Sequence, residues 1–158
     1  MEYQFVECDT AETKSRICKK ILSDLPIWFG IPEANIEYCE NVKRFRMIAV
    51  LHKNSEIGFV SIKENSDKVN ELYVLGLTKI QHRNGIGTRL LSYIESDLVK
   101  RGIEYLEVKT LDESRESEEY RITRLFYIKN GFIKLDVLLN EWGENNPCLI
   151  MIKKLSKA

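Results

Sequence analysis

The sequence predicts an α+β fold: a mixed, mostly antiparallel sheet of six to seven strands accompanied by four helices, formed by residues 1–158 as one domain. Three observations carry that expectation. Two segments repeat apolar residues at helical spacing and two more read as helices, one opened by Pro32 and one closed by Gly131, while strand-like apolar runs are separated by turn residues. Three such runs sit side by side in the middle of the chain, separated by "KNS" and "NSD", loops of hairpin size. Finally, a glycine-rich turn joins the third of them to the most regular helix of the chain.

Taken in order, "YQFVEC" reads as a short strand, and Thr10 is a natural N-cap for a helix whose apolar face is Ile17, Cys18, Ile21, Leu22 and Leu25, ended by Pro26. Pro32 opens a second short helix, residues 32–42, because proline suits a first helical turn. Residues 44–52, 56–64 and 68–78 are the three central strands, and an antiparallel meander is their simplest pairing. Ile86, Leu90, Leu91, Ile94 and Leu98 then recur at helical spacing, with Gly102 after the last turn. A strand at 105–111, a helix at 117–131 ending on Gly131, and the strands "FIKLDVLL" and "PCLIMIKKL" complete the chain.

Composition narrows the function. Lys plus Arg and Asp plus Glu both number 24, so no global charge favours nucleic acid, and any anion site must be local. Four separated cysteines and two histidines, His52 and His82, offer no metal-ligand spacing, so no metal is expected. With no basic-apolar leader and no apolar run long enough for a membrane, the expectation is a cytoplasmic protein with reduced, mostly buried thiols.

The stretch "QHRNGIGT" raises the chemical question. A strand feeding such a turn and then a helix leaves the first helical amides without partners inside the helix, while glycine lets a ligand approach the backbone. With Arg83 beside it, the turn suits a phosphate or pyrophosphate. A dinucleotide fingerprint would need a third glycine where Leu90 stands, and the Gly-Lys-Ser/Thr of a P-loop is missing. On its own the turn reads equally as a tight connection that packs helix on strand.

From residue 44 to 155 the pattern resembles the GNAT superfamily of acyl-CoA-dependent N-acyltransferases, whose Q/R-x-x-G-x-G/A signature reads here His82-Arg83-Asn84-Gly85-Ile86-Gly87. Histidine stands where Gln or Arg is usual. "RLFYIKNGF" is similar to the family's F-Y-x-x-x-G-F segment, although Tyr120 occupies the place of a frequent Asn. "LPIWFGIPEA" and "EWGENNPCLIM" also look like segments of small bacterial members. The resemblance implies the GNAT fold, with a splayed central parallel strand pair, and acetyl-CoA as co-substrate. Its diphosphate would lie on residues 82–88, including Thr88, and its pantetheine arm on the backbone of Leu75, Gly76 and Leu77.

Acyl transfer to an amine needs a base, because an ammonium with a pKa of about 10.4 has no lone pair. Glu71, fourteen residues before Gly85 as in GNAT histone acetyltransferases, is the candidate, and Tyr127 resembles the family's proton donor to the leaving thiolate. A solvated strand carboxylate and a core aromatic are the plain readings of the same two residues. Cys148, in an apolar strand with no nearby histidine in sequence, is a poor nucleophile, so direct attack in a ternary complex is expected. Arg121 and Arg124 could meet phosphates or pair along an exposed helical face. Trp28, Phe29 and Trp142 could line an acceptor pocket or anchor loops, and Glu33, Glu37, Glu141 and Glu144 would suit a cation.

The leading expectation is therefore an N-acetyltransferase for a small primary amine, with neither nucleic acid nor membrane as partner; a homodimer stays open. Acetylation of a protein lysine or N-terminus is the second reading, and a non-catalytic acyl-CoA sensor the third.

Overall fold

A computed structural model describes residues 2–78 and 85–156. Along them run β1 (Tyr3–Glu7), α1 (Ala11–Ser23), α2 (Pro32–Asn41), β2 (Arg46–His52), β3 (Ser55–Glu64), β4 (Val69–Leu77), α3 (Ile86–Lys100), β5 (Tyr105–Leu111), α4 (Glu118–Lys129), β6 (Ile133–Leu138) and β7 (Cys148–Lys154). The strand order is β1-β2-β3-β4-β5-β7-β6, and β4 with β5 forms the one parallel pair in an otherwise antiparallel sheet. The expected α+β class and the central meander are both present. Lys53 and Asn54, each in the left-handed region, make the tight turn between β2 and β3, a geometry that matches the twist of paired strands.

The chain folds as two compact units, passing from one to the other after Glu64, within β4 and within α3. The first comprises the residues up to Glu64 together with Leu72–Ile94. Its core is the predicted face of α1, with Ile17, Cys18, Ile21, Leu22 and Leu25 set against Val42, Met47, Ala49, Phe59 and Val74. Thr10 caps α1 by accepting from the Thr13 amide at 3.2 Å. Where the sequence suggests helix through residue 42, α2 ends at Asn41 and a 3-10 turn, Val42–Arg44, follows. Tightening the last turn sends Val42 inward, fully buried, and delays the strand to Arg46.

Two glycines bring backbones together in this unit. A Cβ on Gly58 of β3 would lie 2.7 Å from the Gly76 carbonyl oxygen of β4, and one on Gly76 would lie 3.0 Å from Ile21 Cγ2 of α1. The strand that leads toward the glycine turn is thereby fixed both from β3 and from α1.

The second unit comprises Asn65–Glu71 and the chain from Glu95 onward. β5 and β7 pair with Lys109 opposite Ile150 and Leu111 opposite Cys148. Leu106, Val108, Leu149 and Met151 are buried with Tyr127 and Phe132. Ser117 caps α4 through the Tyr120 amide at 3.3 Å, and Gly131, with φ at +95°, ends it where an L side chain would be strained. α3 buries Ile86, Leu90, Leu91, Ile94 and Leu98, the five residues its spacing singles out.

Because a Cβ on Gly58 would lie 2.5 Å from Leu77 Cδ2 and 2.7 Å from the Gly76 carbonyl oxygen, and the second of these is backbone, a Gly58→Ala variant must push β3 away from β4. We expect a loss of about 1–3 kcal/mol in chemical denaturation, the usual cost of overpacking, whereas Gly102→Ala, whose Cβ would meet nothing within 4 Å, should cost only the strain of its left-handed backbone, about 1–2 kcal/mol.

Candidate active site

In the first unit, Leu75 is half-buried while Gly76 and Leu77 are buried near the end of β4. The Gly76 packing against Ile21 and Leu25 explains why no side chain stands there. At the start of α3 the first ladder bond runs from the Arg89 amide to the Gly85 carbonyl at 3.1 Å, so the amides of Ile86, Gly87 and Thr88 precede the ladder. Gly85 is exposed, has φ at +76°, and a Cβ there would meet nothing within 4 Å. That open, left-handed backbone at a helix start fits a phosphate group. Ile86 differs from its neighbours: its side chain is fully buried, so only its backbone can face a ligand. His82, Arg83 and Asn84 lie outside the described residues.

The aromatic residues expected near an acceptor belong to the first unit's packing. Trp28 and Phe29 lie against its core, Phe29 meets Tyr38 edge-on at 6.0 Å, and Asn35 Nδ2 donates to the Phe29 carbonyl at 2.7 Å. Tyr38 and Phe45 flank the Tyr73 ring at 5.5 and 5.1 Å, and Asn41 Nδ2 donates to the Tyr73 hydroxyl at 2.8 Å. Glu33 and Glu37 stand on α2, which has no buried residue. His52 is a half-buried strand residue with Nδ1 3.1 Å from the Glu2 carbonyl oxygen.

In the second unit Glu71 is only 5% exposed, so it is no ordinary solvated strand carboxylate. Its charge acts on Lys109 of β5, whose Nζ lies 3.3 Å from Glu141 Oε2 in the loop 139–147. Burial works against the lysine's charge, but the carboxylates of Glu71, Glu141 and Glu107 outweigh it and raise its pKa. Nearby, burial pushes the Cys148 thiol up to about 11, with the same three carboxylates adding to the rise and Lys109 opposing it. Such a thiol stays protonated at neutral pH and does not attack a thioester. Trp142 is half-buried in the same loop, its carbonyl accepting from Asn146 Nδ2 at 3.4 Å; Glu141 and Glu144 are exposed there.

Tyr127 is 6% exposed and packs edge-on against Phe126 and Phe132, both at 5.3 Å. Burial, aided by neighbouring Tyr120, raises its pKa, so the hydroxyl keeps its proton at neutral pH and can donate it. Burial also pushes Tyr120 up to about 12, with Arg115 opposing. The two helical arginines separate. Arg121 is exposed and paired with Glu118 at 2.9 Å, whereas Arg124 is 7% exposed and donates Nη1 to the Leu111 carbonyl at 2.7 Å. Arg124 therefore ties α4 to the end of β5, and the exposed-face alternative fails for it because its fork satisfies a buried carbonyl.

Lys109 and Arg124 are the residues the sequence reading passed over in these roles. The period-2 pattern of "YLEVKTL" puts Glu107 and Lys109 on one face, but only the register shows which carboxylates meet there.

Against this geometry the comparisons decide the family. The profile described as "Acetyltransferase (GNAT) domain" matches residues 43–134. The chain belongs to the GNAT acetyltransferase family. No curated protein matches it significantly in sequence. Among solved structures, a protein described as a GNAT-family acetyltransferase from Desulfovibrio desulfuricans superposes with a TM-score of 0.80 at 14% identity, over 98% of this chain and 100% of that one. The ribosomal-protein-S18-alanine N-acetyltransferase from Escherichia coli gives 0.77 at 17%, over 99% and 96%. The aminoglycoside 6'-N-acetyltransferase from Enterococcus faecium gives 0.72 at 22%, over 98% of each. At these identities the likeness is one of fold, and the GNAT expectation holds at that level. Among the described residues no group of three or more His, Cys, Asp or Glu could hold a metal, and no helix is long and apolar enough to cross a membrane.

The raised tyrosines have a measurable consequence. Unfolded tyrosines ionise near about 10; since folding raises Tyr120 and Tyr127, the stability they lend is intact below that pH and is lost as pH climbs through it toward the folded values. Absorbance at 295 nm at about pH 11 should therefore show fewer phenolates than the seven tyrosines present until the protein unfolds. Tyr127→Phe should remove signal from the late phase; loss from the early phase would show Tyr127 to be an ordinary phenol.

Proposed function

We propose that this GNAT protein is an N-acetyltransferase that moves the acetyl group of acetyl-CoA to a primary amine of a small molecule by direct attack in a ternary complex. The observation that carries the proposal is Glu71, a carboxylate 5% exposed in the strand of a GNAT domain. A buried carboxylate of this kind is suited to accept the ammonium's proton, directly or through water. Coenzyme A chemistry is supported by fold neighbours crystallised with it: an aminoglycoside 6'-N-acetyltransferase complexed with coenzyme A and a GNAT protein of Elizabethkingia anophelis with acetyl-CoA bound.

In the first unit the amides of Ile86, Gly87 and Thr88, with Gly85, would hold the diphosphate through backbone hydrogen bonds, helped by residues 82–84. The backbone of Leu75, Gly76 and Leu77 would pair with the pantetheine arm. In the second unit Glu71 would take the proton, and Tyr127 would donate a hydrogen bond to the sulfur as negative charge develops on it. Trp28, Phe29 and Trp142 are proposed for the acceptor side only through their loops, since the first two already pack against core residues.

A small cationic amine is favoured by the aminoglycoside acetyltransferases among the fold neighbours and by the carboxylates around Lys109. The second reading, acetylation of a protein N-terminus, is favoured by the likeness to the S18-alanine enzyme. Release of free thiol from acetyl-CoA, measured across small amines and across N-terminal peptides, separates the two; a thermal shift with acetyl-CoA but no thiol release from either set would point to a non-catalytic sensor.

Three variants test the roles. Gly85→Val should weaken acetyl-CoA binding in calorimetry by tenfold or more, by filling the open approach and straining a left-handed position. Glu71→Gln should lower kcat about 100-fold or more, as for removal of a general base. Tyr127→Phe should lower kcat more than it weakens acetyl-CoA binding; equal losses in both would assign it to packing.

A further inference from the structure

The loop 139–147 joins β6 to β7, and its last residues are fastened to the end of β5. Past the Leu111–Cys148 pair the ladder runs one bond further, the Asp112 amide donating to the Pro147 carbonyl at 3.0 Å. Asp112 also shapes the turn that follows it: its carbonyl accepts from the Arg115 amide at 3.2 Å and its Oδ2 from the Ser114 amide at 3.0 Å. From that turn the Arg115 side chain reaches the loop, where Nη1 donates to Asn146 Oδ1. Asn146 in turn holds the loop from inside. Its backbone amide donates to the Gly143 carbonyl at 3.1 Å, closing a turn in which Gly143 takes φ at +90°, and its Nδ2 donates to the Trp142 carbonyl at 3.4 Å. Pro147 behind it disfavours helical backbone at Asn146 and keeps the residue extended.

The direction of the Asn146 side-chain amide follows from its neighbour. Arginine has donors only, so the oxygen must face Arg115 and the nitrogen is left to donate toward Trp142. Without the cation the amide is free to turn over, and the donor to Trp142 is lost. Resting on the reading that gives Trp142 to the acceptor side, we propose that Arg115 and Asn146 are positioning residues for the acceptor: Arg115 fixes the Asn146 amide, and the amide fixes the backbone that carries Trp142. In this role neither residue touches the reacting atoms, so both act on binding of the amine and leave acetyl-CoA binding and the transfer step alone. Two substitutions separate the role from packing. Asn146→Asp keeps the size of the side chain and an acceptor for Arg115, but it turns the donor into an oxygen that meets the Trp142 carbonyl as acceptor against acceptor. Arg115→Met, at an exposed position, removes the cation that orients the amide.

The test is 19F NMR of the full-length protein carrying 5-fluorotryptophan at its two tryptophans, with the Trp142 resonance assigned by its absence in Trp142→Phe. Asn146→Asp and Arg115→Met should both move the Trp142 resonance toward its position in denaturant and leave that of Trp28, which belongs to the first unit, in place. An unmoved Trp142 resonance in either variant, or movement of Trp28 alongside it, overturns the proposal. Should Asn146→Asp fail to give the wild-type far-UV circular dichroism, the exposed Arg115→Met decides alone. With an amine that releases thiol from acetyl-CoA, either variant should raise the amine KM by about threefold to tenfold, the range for one lost hydrogen bond, with kcat and the calorimetric Kd of acetyl-CoA unchanged. A merely structural role would not produce that split, and a fall in kcat at unchanged KM overturns the proposal as well. If Trp142→Ala leaves the amine KM at its wild-type value, the acceptor reading of the loop falls while the 19F result stands; a Trp142 resonance that ignores Asn146→Asp removes the present proposal whatever the turnover.

Discussion

The close approach of β3 to β4 is the constraint from which the first unit's arrangement follows. Neither Gly58 nor Gly76 has room for a side chain: one is closed off by the carbonyl of the facing strand, the other by Ile21 and Leu25 of α1. β4 is thus pinned on an edge and on a face. The backbone proposed to pair with an extended ligand arm is therefore held in place before any ligand arrives, which lowers the ordering cost of binding. The glycine at position 76 is a requirement of helix-on-sheet packing; the one at position 85, with open space and a left-handed φ, is a requirement of the turn.

That contrast shows how far the sequence was legible. Elements whose signals are local came through: Thr10 as a cap, the five buried residues of α3, the strand at 105–111, and Gly131 closing α4. Capping, helical spacing and left-handed termini depend on neighbours within a few residues, and those are written in order. The end of α2 was placed one residue late, because the inward turn of Val42 answers to the α1 core, which lies far off in sequence.

The candidate site was legible by residue type and not by environment. Glu71 and Tyr127 could be named from motif spacing, but the near-total burial of the first and the ring cage that Phe126 and Phe132 make around the second are properties of the folded chain. Arg121 and Arg124, three apart on one helix, look equivalent in the sequence. Only the position of the Leu111 carbonyl separates a surface ion pair from a buried tie between helix and strand. Lys109 is the same case in reverse, a charged residue in a strand that meets carboxylates from its own strand and from two other segments.

The buried tyrosine also constrains how the proposed reaction can end. A phenol raised above its ordinary value of about 10 is a weaker acid than a thiol near about 8.5, so complete proton transfer from Tyr127 to a departing thiolate would run uphill by at least about 2 kcal/mol. A hydrogen bond to the sulfur carries no such cost. It stabilises charge that builds as the carbon–sulfur bond breaks, and it leaves the phenol protonated for the next turnover. In the proposed reaction Tyr127 would then serve as a fixed donor, and Glu71 would be the group that changes its protonation state during the cycle. On that reading the site would have one titrating member, and its pH profile should show one acidic limb.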